Sequence, residues 1–586
     1  MKSIFGGHFG DYDYVNKFTE AKGYNIPYLH NAFVNFRLVV NSSNYVEKVF
    51  GAGEGMGGIR NGDKMQDRSY VLVDMADDQG NYSQTEVFGG GSNNGLGMNF
   101  TYAETIKPTF DQDNASAIVD LIHGNIKAVY GGAHNEGVTR RTVVNVPDNS
   151  DITIGNIFGG AFGTRILPPC DVLESNVNYN NTSELASVTG AIYGGNNSER
   201  RTLFAKVNIS SPVWQDKENG YLATAYGAGK GIDTWAEHTE VNLLSGAKLY
   251  QVYGGGEMGH VLNAESVQKY MQLYEGGPSP QIASQDPEWD QRFASWADAW
   301  RDAWAIDGYY TPETGYTNYI TNEPTNLTNI SDRPELDEKT AALLGGKTKF
   351  NTNVIINEGA SVARYAYGGG FGEAATHLSG DVYGTSYIAL LGGTVGQDIY
   401  AAGTVGGVND LFGAKTFTAA ANAYIKGGTV RNVYGGGWLG NVGSHPGRAE
   451  DKDKGITADA DDPVNDVPGA TYVVIGDVEG SSLNNGVPAI LRNAYGGGEG
   501  GAVFGTANLI LNNGYVGYEY KDGTYKELTV DSTYVDKETK EFIPNNNLLK
   551  AGCLFGGGYI DNSSVDKTNV QIYGGTVRNS VFAAVR

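Results

Sequence analysis

The chain has 586 residues, 84 of them Gly but only 17 Pro, so it is neither collagen, which needs abundant Pro, nor a bland flexible linker, because 37 Tyr and 21 Phe accompany the glycines. The net charge of −24 argues against nucleic acid as a partner, because phosphate binding needs a basic face. Two cysteines, Cys170 and Cys553, exclude a disulfide framework and a CxxC site, and no apolar run reaches the ~20 residues that cross a bilayer.

From the first residues onward one phrase recurs, an aliphatic residue, an aromatic one, then two or three small ones. It opens at Ile4-Phe5-Gly6-Gly7 and continues at Val49-Phe50, Val87-Phe88, Val129-Tyr130, Ile157-Phe158, Ile192-Tyr193, Ala225-Tyr226 and Val252-Tyr253. Successive aromatics from Tyr130 stand 28, 35, 33 and 27 residues apart. Alternating segments such as Thr239–Leu244 precede many copies and read as strands bounded by turns. A unit of two or three short strands cannot bury its apolar side alone; stacking copies does so at about 4.8 Å per step. The expected fold is therefore all-β, a parallel β-solenoid of the right-handed β-helix kind, over residues 1–261. Alternation places the aliphatic residue inside and the aromatic on the polar face. The glycines are expected at corners that need positive φ and leave no room for Cβ.

Residues 262–348 break the pattern and predict a helical or irregular insertion. Asp286-Pro287 is a helix start, and Trp289, Phe293, Trp296, Trp300 and Trp304 fall on one helical face. That face is expected to pack on the flank of the solenoid; its alternative is a sugar-stacking or partner surface, which makes Trp289, Trp296, Trp300 and Trp304 candidate ligand-binding residues.

The phrase returns over 349–586, at Ala366-Tyr367, Ile399-Tyr400, Val433-Tyr434, Ala494-Tyr495, Leu554-Phe555, Ile572-Tyr573 and Val581-Phe582. Trp438, four residues after Tyr434, is an edge aromatic and a further ligand-binding candidate. Loop insertions are expected near 449–470 and 514–547. The first holds Asp451-x-Asp453-x-Gly455, part of a calcium-loop pattern without its remaining ligands. A solvated loop is the expectation there; Asp451 and Asp453 are the candidates for Ca²⁺, and no other cofactor is implied. The second insertion is Tyr-rich and reads as a β-hairpin or longer loop.

Gly254-x-Gly256-x-x-Gly259 and its two relatives match dinucleotide spacing but repeat with the strands and lack a following helix, so they are read as corners. Carboxylates recur after the corners, Glu54, Glu257 and Glu499 at four residues past the aromatic, and Glu136, Glu199 and Glu373 at six. Stacked, they line one edge, where a hydrolase would need two carboxylates ~5–9.5 Å apart. Solvated turns carry Glu routinely, so no catalytic residue is assigned; Glu257 and Glu373 stand as acid and base of the alternative.

The stretch Gly427-Gly428-Thr429-Val430-Arg431-Asn432-Val433-Tyr434-Gly435-Gly436-Gly437 resembles the Gly-rich β-helix repeats of adhesin-like surface proteins of gut Bacteroidales and related anaerobes. The resemblance covers most of the chain outside the insertions. It implies a structural and adhesive protein at the bacterial cell surface, touching glycan or a cell-surface protein through its loops. It implies, too, a segment of a longer polypeptide, since repeat phrases stand at both ends. Two alternatives are a carbohydrate-active β-helix enzyme, a polysaccharide lyase or glycoside hydrolase, and a phage tail spike.

Overall fold

The computed structural model describes residues 3–6, 29–36, 46–54, 66–75, 84–92, 116–135, 137, 139–164, 170–262, 310–311, 315–316, 336–373, 379–409, 419–443, 468–477, 486–528, 551–560 and 563–584. The protein is all-β, with a large and mostly parallel sheet. Its described residues fall in two compact units, the first built on Met1–Thr239 and the second on Glu240–Ser266 and Pro334–Arg586.

In the first unit the aromatic positions lie in register on parallel strands: Phe5 beside Phe50, then Phe88, Tyr130, Phe158, Tyr193 and Tyr226. Their rings stack face to face with centroids 4.6 to 5.1 Å apart. That spacing is the distance between hydrogen-bonded strands, so the backbone ladder and the ring stack reinforce each other. The second unit repeats the device with Tyr253, Tyr367, Tyr400, Tyr434, Tyr495, Phe555 and Phe582, at 4.7 to 5.1 Å.

Ile572-Tyr573, read above as a copy of the same phrase, departs from it. Ile572 pairs with Leu511, a different column, and Tyr573 is largely exposed. The strand that continues the file is Val581–Phe582, with Phe582 beside Phe555.

A rung of the second unit holds three strands, Thr352–Ile356, Ser361–Val362 and Ala366–Tyr367. All three pair with the single bent strand Thr385–Tyr400 of the next rung. The residues before the aromatics, Val252, Ala366, Ile399, Val433, Ala494 and Leu554, are fully buried. The aromatics are buried as well, but from the opposite side. Tyr253 shares a face with Gln251, since its hydroxyl donates to Gln251 Oε1 at 2.9 Å.

Where a glycine follows the aromatic it is favoured by close approach, not by positive φ; the rung of Tyr400 carries Ala401 at that place and the rung of Phe582 carries Ala583. A Cβ on Gly51 would stand 2.3 Å from the Gly89 carbonyl oxygen, and one on Gly435 2.1 Å from that of Gly496, and neither residue has positive φ. The same carbonyls accept from a column of inward hydroxyls: Thr142 to Gly159 at 2.6 Å, Ser175 to Gly194 at 2.6 Å, Thr352 to Gly368 at 2.7 Å, Ser386 to Ala401 at 2.6 Å and Thr471 to Gly496 at 2.5 Å. In other rungs the column holds Ala117, Ala205, Ala421 and Ala507. Only small residues fit there, and a hydroxyl adds a hydrogen bond at a corner that the ladder leaves short.

Within the expected 262–348 insertion the described helix is short, Glu338–Leu343, capped by Asp337, whose carboxylate accepts from the Thr340 N–H. Leu344 and Phe350 cluster with Tyr387, Tyr424, Val474 and Ile510 on the outer face of the strands. The Tyr-rich insertion forms an antiparallel hairpin, Tyr518–Lys521 with Thr524–Glu527, turning at Asp522-Gly523, both at positive φ. Among the described residues no helix is long and apolar enough to cross a membrane.

Candidate functional site

The second unit carries a groove of about 610 Å³ along its aromatic file. Three columns of side chains build it, because each rung contributes the same positions. The floor is the file itself, from Tyr253 to Tyr495. One wall comes from four residues past the aromatic: Phe371, Thr404, Trp438, Glu499 and Tyr559. Their amides donate to the preceding rung, Trp438 N–H to Gly403 O, Glu499 N–H to Gly437 O and Tyr559 N–H to Gly498 O, each at 3.1 Å. The other wall comes from three residues before the aromatic: Arg364, Gln397, Arg431 and Arg492.

The polar chemistry converges on the floor. Arg431 grips Asp398 with two nitrogens, and Asn432 Nδ2 donates to the same carboxylate at 2.9 Å. Burial alone would lower the Arg431 guanidinium, but Asp398 overcomes this and raises it above its ordinary value. The Tyr400 hydroxyl donates to Glu499, and Asn493 Nδ2 donates to the Tyr495 hydroxyl at 3.1 Å. Burial, then Asp398 and Glu499, push the Tyr400 and Tyr434 hydroxyls well above the ordinary phenol value. The floor is thus a row of neutral phenols. Trp438 stands at the rim, 43% exposed.

Of the residues singled out from sequence, Trp438 and Glu499 lie in this groove. Glu257 holds the equivalent position one rung away, bridged to Phe371, and Glu373 is exposed, its N–H bonded to Ser379 Oγ; neither is among the residues that line the groove. Trp289, Trp296, Trp300 and Trp304, with Asp451 and Asp453, fall outside the described residues. Among the described residues no group of acids, histidines or cysteines is placed to hold a metal ion. The arginine wall escaped the sequence reading, which considered the residue next to the aliphatic one. Its signal was there: Arg364, Arg431 and Arg492 each stand three before a tyrosine of the file.

In the first unit the wall position is occupied differently. Ser92, His134, Phe162 and Asn197 form a parallel column beside the file. His134 stacks on Phe162 and meets Phe50 and Phe88 edge-on, while Asn197 donates to the Tyr130 hydroxyl at 3.0 Å. Lys48 Nζ donates to His134 Nε2 at 2.6 Å. Burial, then the Lys48 charge, lower the His134 ring to about 4. Deeper in this unit Asp171 receives both Arg200, through two nitrogens at 3.0 Å, and Arg201 at 2.8 Å. Burial would raise the Asp171 carboxyl; the two guanidinium groups outweigh it and hold it below its ordinary range.

Comparison with protein-family models matched no family, and neither the curated proteins nor the solved structures gave a match.

Proposed function

We propose that the chain is a right-handed β-solenoid of an adhesive, extracellular surface protein, and that the groove of its second unit is a glycan-binding site. The observation that carries this reading is the tyrosine-floored groove with an exposed tryptophan at its rim. A sugar ring presents apolar C–H faces and an edge of hydroxyls. The exposed indole of Trp438 suits the first, since the floor rings cover one another's faces, and the amides, phenols and guanidinium groups of the floor and walls suit the second. The floor side chains stand on ladder strands and most wall residues on bends tied by backbone hydrogen bonds to the neighbouring rungs, so little freedom is lost when a ligand arrives. Binding is favoured over hydrolysis because both groove carboxylates are already engaged, Asp398 by Arg431 and Glu499 by Tyr400.

The test is a glycan array probed with the purified chain and with Trp438→Ala. Specific binding by the wild type, reduced about tenfold or more in the variant, supports the reading. A wild-type chain that retains no glycan, or a variant that binds as well as the wild type, overturns it.

A further inference from the structure

We propose that this groove selects anionic sugars, those carrying a carboxylate or a sulfate ester, through its arginine wall; the proposal rests on the glycan reading above. The arginines belong to the groove and not to the repeat. At the equivalent place, three before the aromatic, the first unit has Glu47, Thr85, Lys127, Gly155, Gly190 and Ala223. In the second unit the place holds Tyr250, Arg364, Gln397, Arg431, Arg492, Gly552 and Asn579, so arginine occurs there at three of seven rungs, all of them lining the groove.

The backbone fixes them in one column. Arg492 N–H donates to Arg431 O at 2.8 Å, and Gln397 N–H to Arg364 O at 2.9 Å. The Arg364 guanidinium lies over the Tyr250 ring, 5.5 Å from its centroid. That contact orients the guanidinium plane and leaves its N–H edge to meet a planar pair of oxygens. Arg431 is neutralised by Asp398, so it shapes the wall without adding net charge. Among the described residues the lining sets three arginines against two carboxylates, Asp398 and Glu499, an excess of one positive charge. This excess occurs in a chain of net charge −24, whose general field repels anions. A local basic wall is what an acidic polymer needs in order to dock on such a protein.

The experiment measures affinity for matched probes on the full chain: trigalacturonate against its methyl ester, sialyllactose against lactose, and 6′-sulfated lactose against lactose. The expected result is that at least one acidic member binds about tenfold tighter than its neutral partner, and that raising salt from about 0.1 to 0.5 M removes most of that advantage. Which pair shows the effect separates carboxylate from sulfate. Arg364→Gln and Arg492→Gln are each expected to weaken the acidic probe about tenfold, several times more than they weaken its neutral partner. Acidic and neutral members that bind alike, or a preference indifferent to salt, overturn the proposal and leave the glycan reading standing. Failure of every probe to bind overturns both. The paired-probe and salt arms use the wild type alone, so they hold even where a variant folds poorly.

Discussion

The Tyr400 hydroxyl donates to the Glu499 carboxylate across 99 residues of sequence, tying the floor of the groove to its wall. Tyr400→Phe keeps the ring in the stack and removes the donor. The expected loss is about 1.5–3 kcal/mol, as for other hydrogen bonds to a charged group. A double-mutant cycle with Glu499→Gln, read by urea unfolding, is expected to show coupling of at least about 0.5 kcal/mol; additive effects would mean that the contact does not stabilise the groove.

The glycine after the aromatic makes a sharper prediction. A Cβ on Gly435 would stand 2.1 Å from the Gly496 carbonyl oxygen, which already accepts from the Thr471 hydroxyl. Gly435→Ala is expected to cost about 3 kcal/mol by chemical denaturation. Gly220, with φ of +73° and open space around it, is the comparison; there Ala is expected to cost about 1 kcal/mol, for backbone strain alone. Equal losses would show that the rung yields to the added Cβ and that close approach does not dictate the corner.

Asp171 offers a test of buried charge. It is fully buried between Arg200 and Arg201, themselves 3% and 0% exposed. Asp171→Asn leaves two buried cations without their counter-charge and is expected to cost about 3–5 kcal/mol. Differential scanning calorimetry of the variant reads this as a lowered Tm; an unchanged Tm would show that the site relaxes or admits water.

His134 predicts a pH dependence. Its ring sits near 4 in the folded chain and near 6.5 when unfolded. Between those values the unfolded chain binds more protons, so stability rises with pH across that window, is complete above about 6.5 and is lost below about 4. The groups facing the ring are Lys48, Phe50, Phe88 and Phe162, with Glu86 and Glu47 acting on Lys48. The contribution is on the order of 2 kcal/mol once partial solvent access is allowed for. Unfolding midpoints at pH 7 and 4.5 check it: the drop is expected to shrink in His134→Phe, and an equal drop in both would place the effect elsewhere.

The parallel strands and the aromatic files were legible because both follow from short-range periodicity: an aliphatic residue, a Tyr or Phe, a Gly. Tyr573 carried the same local letters yet lies in another column, because register is set by the strand before it, Val565–Ile572, and not by the dipeptide. The groove was only partly legible. Trp438 announced itself as an edge aromatic, whereas the arginine wall required comparison of rungs at a fixed offset from the aromatic. The pairing of Asp398 with Arg431, and the crossing from Tyr400 to Glu499, depend on which rungs become neighbours in space. The hydroxyl column was invisible for a different reason: Thr352 and Thr471 look like ordinary strand residues until the corner carbonyl above them is located.

Tyr253 and Tyr367 stack at 4.7 Å with planes 2° apart, as closely as Tyr367 and Tyr400 at 4.9 Å, although 114 residues separate the first pair and 33 the second. Neighbouring rungs therefore recognise each other irrespective of how much polypeptide is paid out between them. Such a column tolerates splicing: a foreign peptide grafted into the connection between Tyr253 and Tyr367 should be displayed without disturbing the layers on either side. The same freedom lets a gene of this kind acquire new surface segments by insertion while its scaffold stays unchanged.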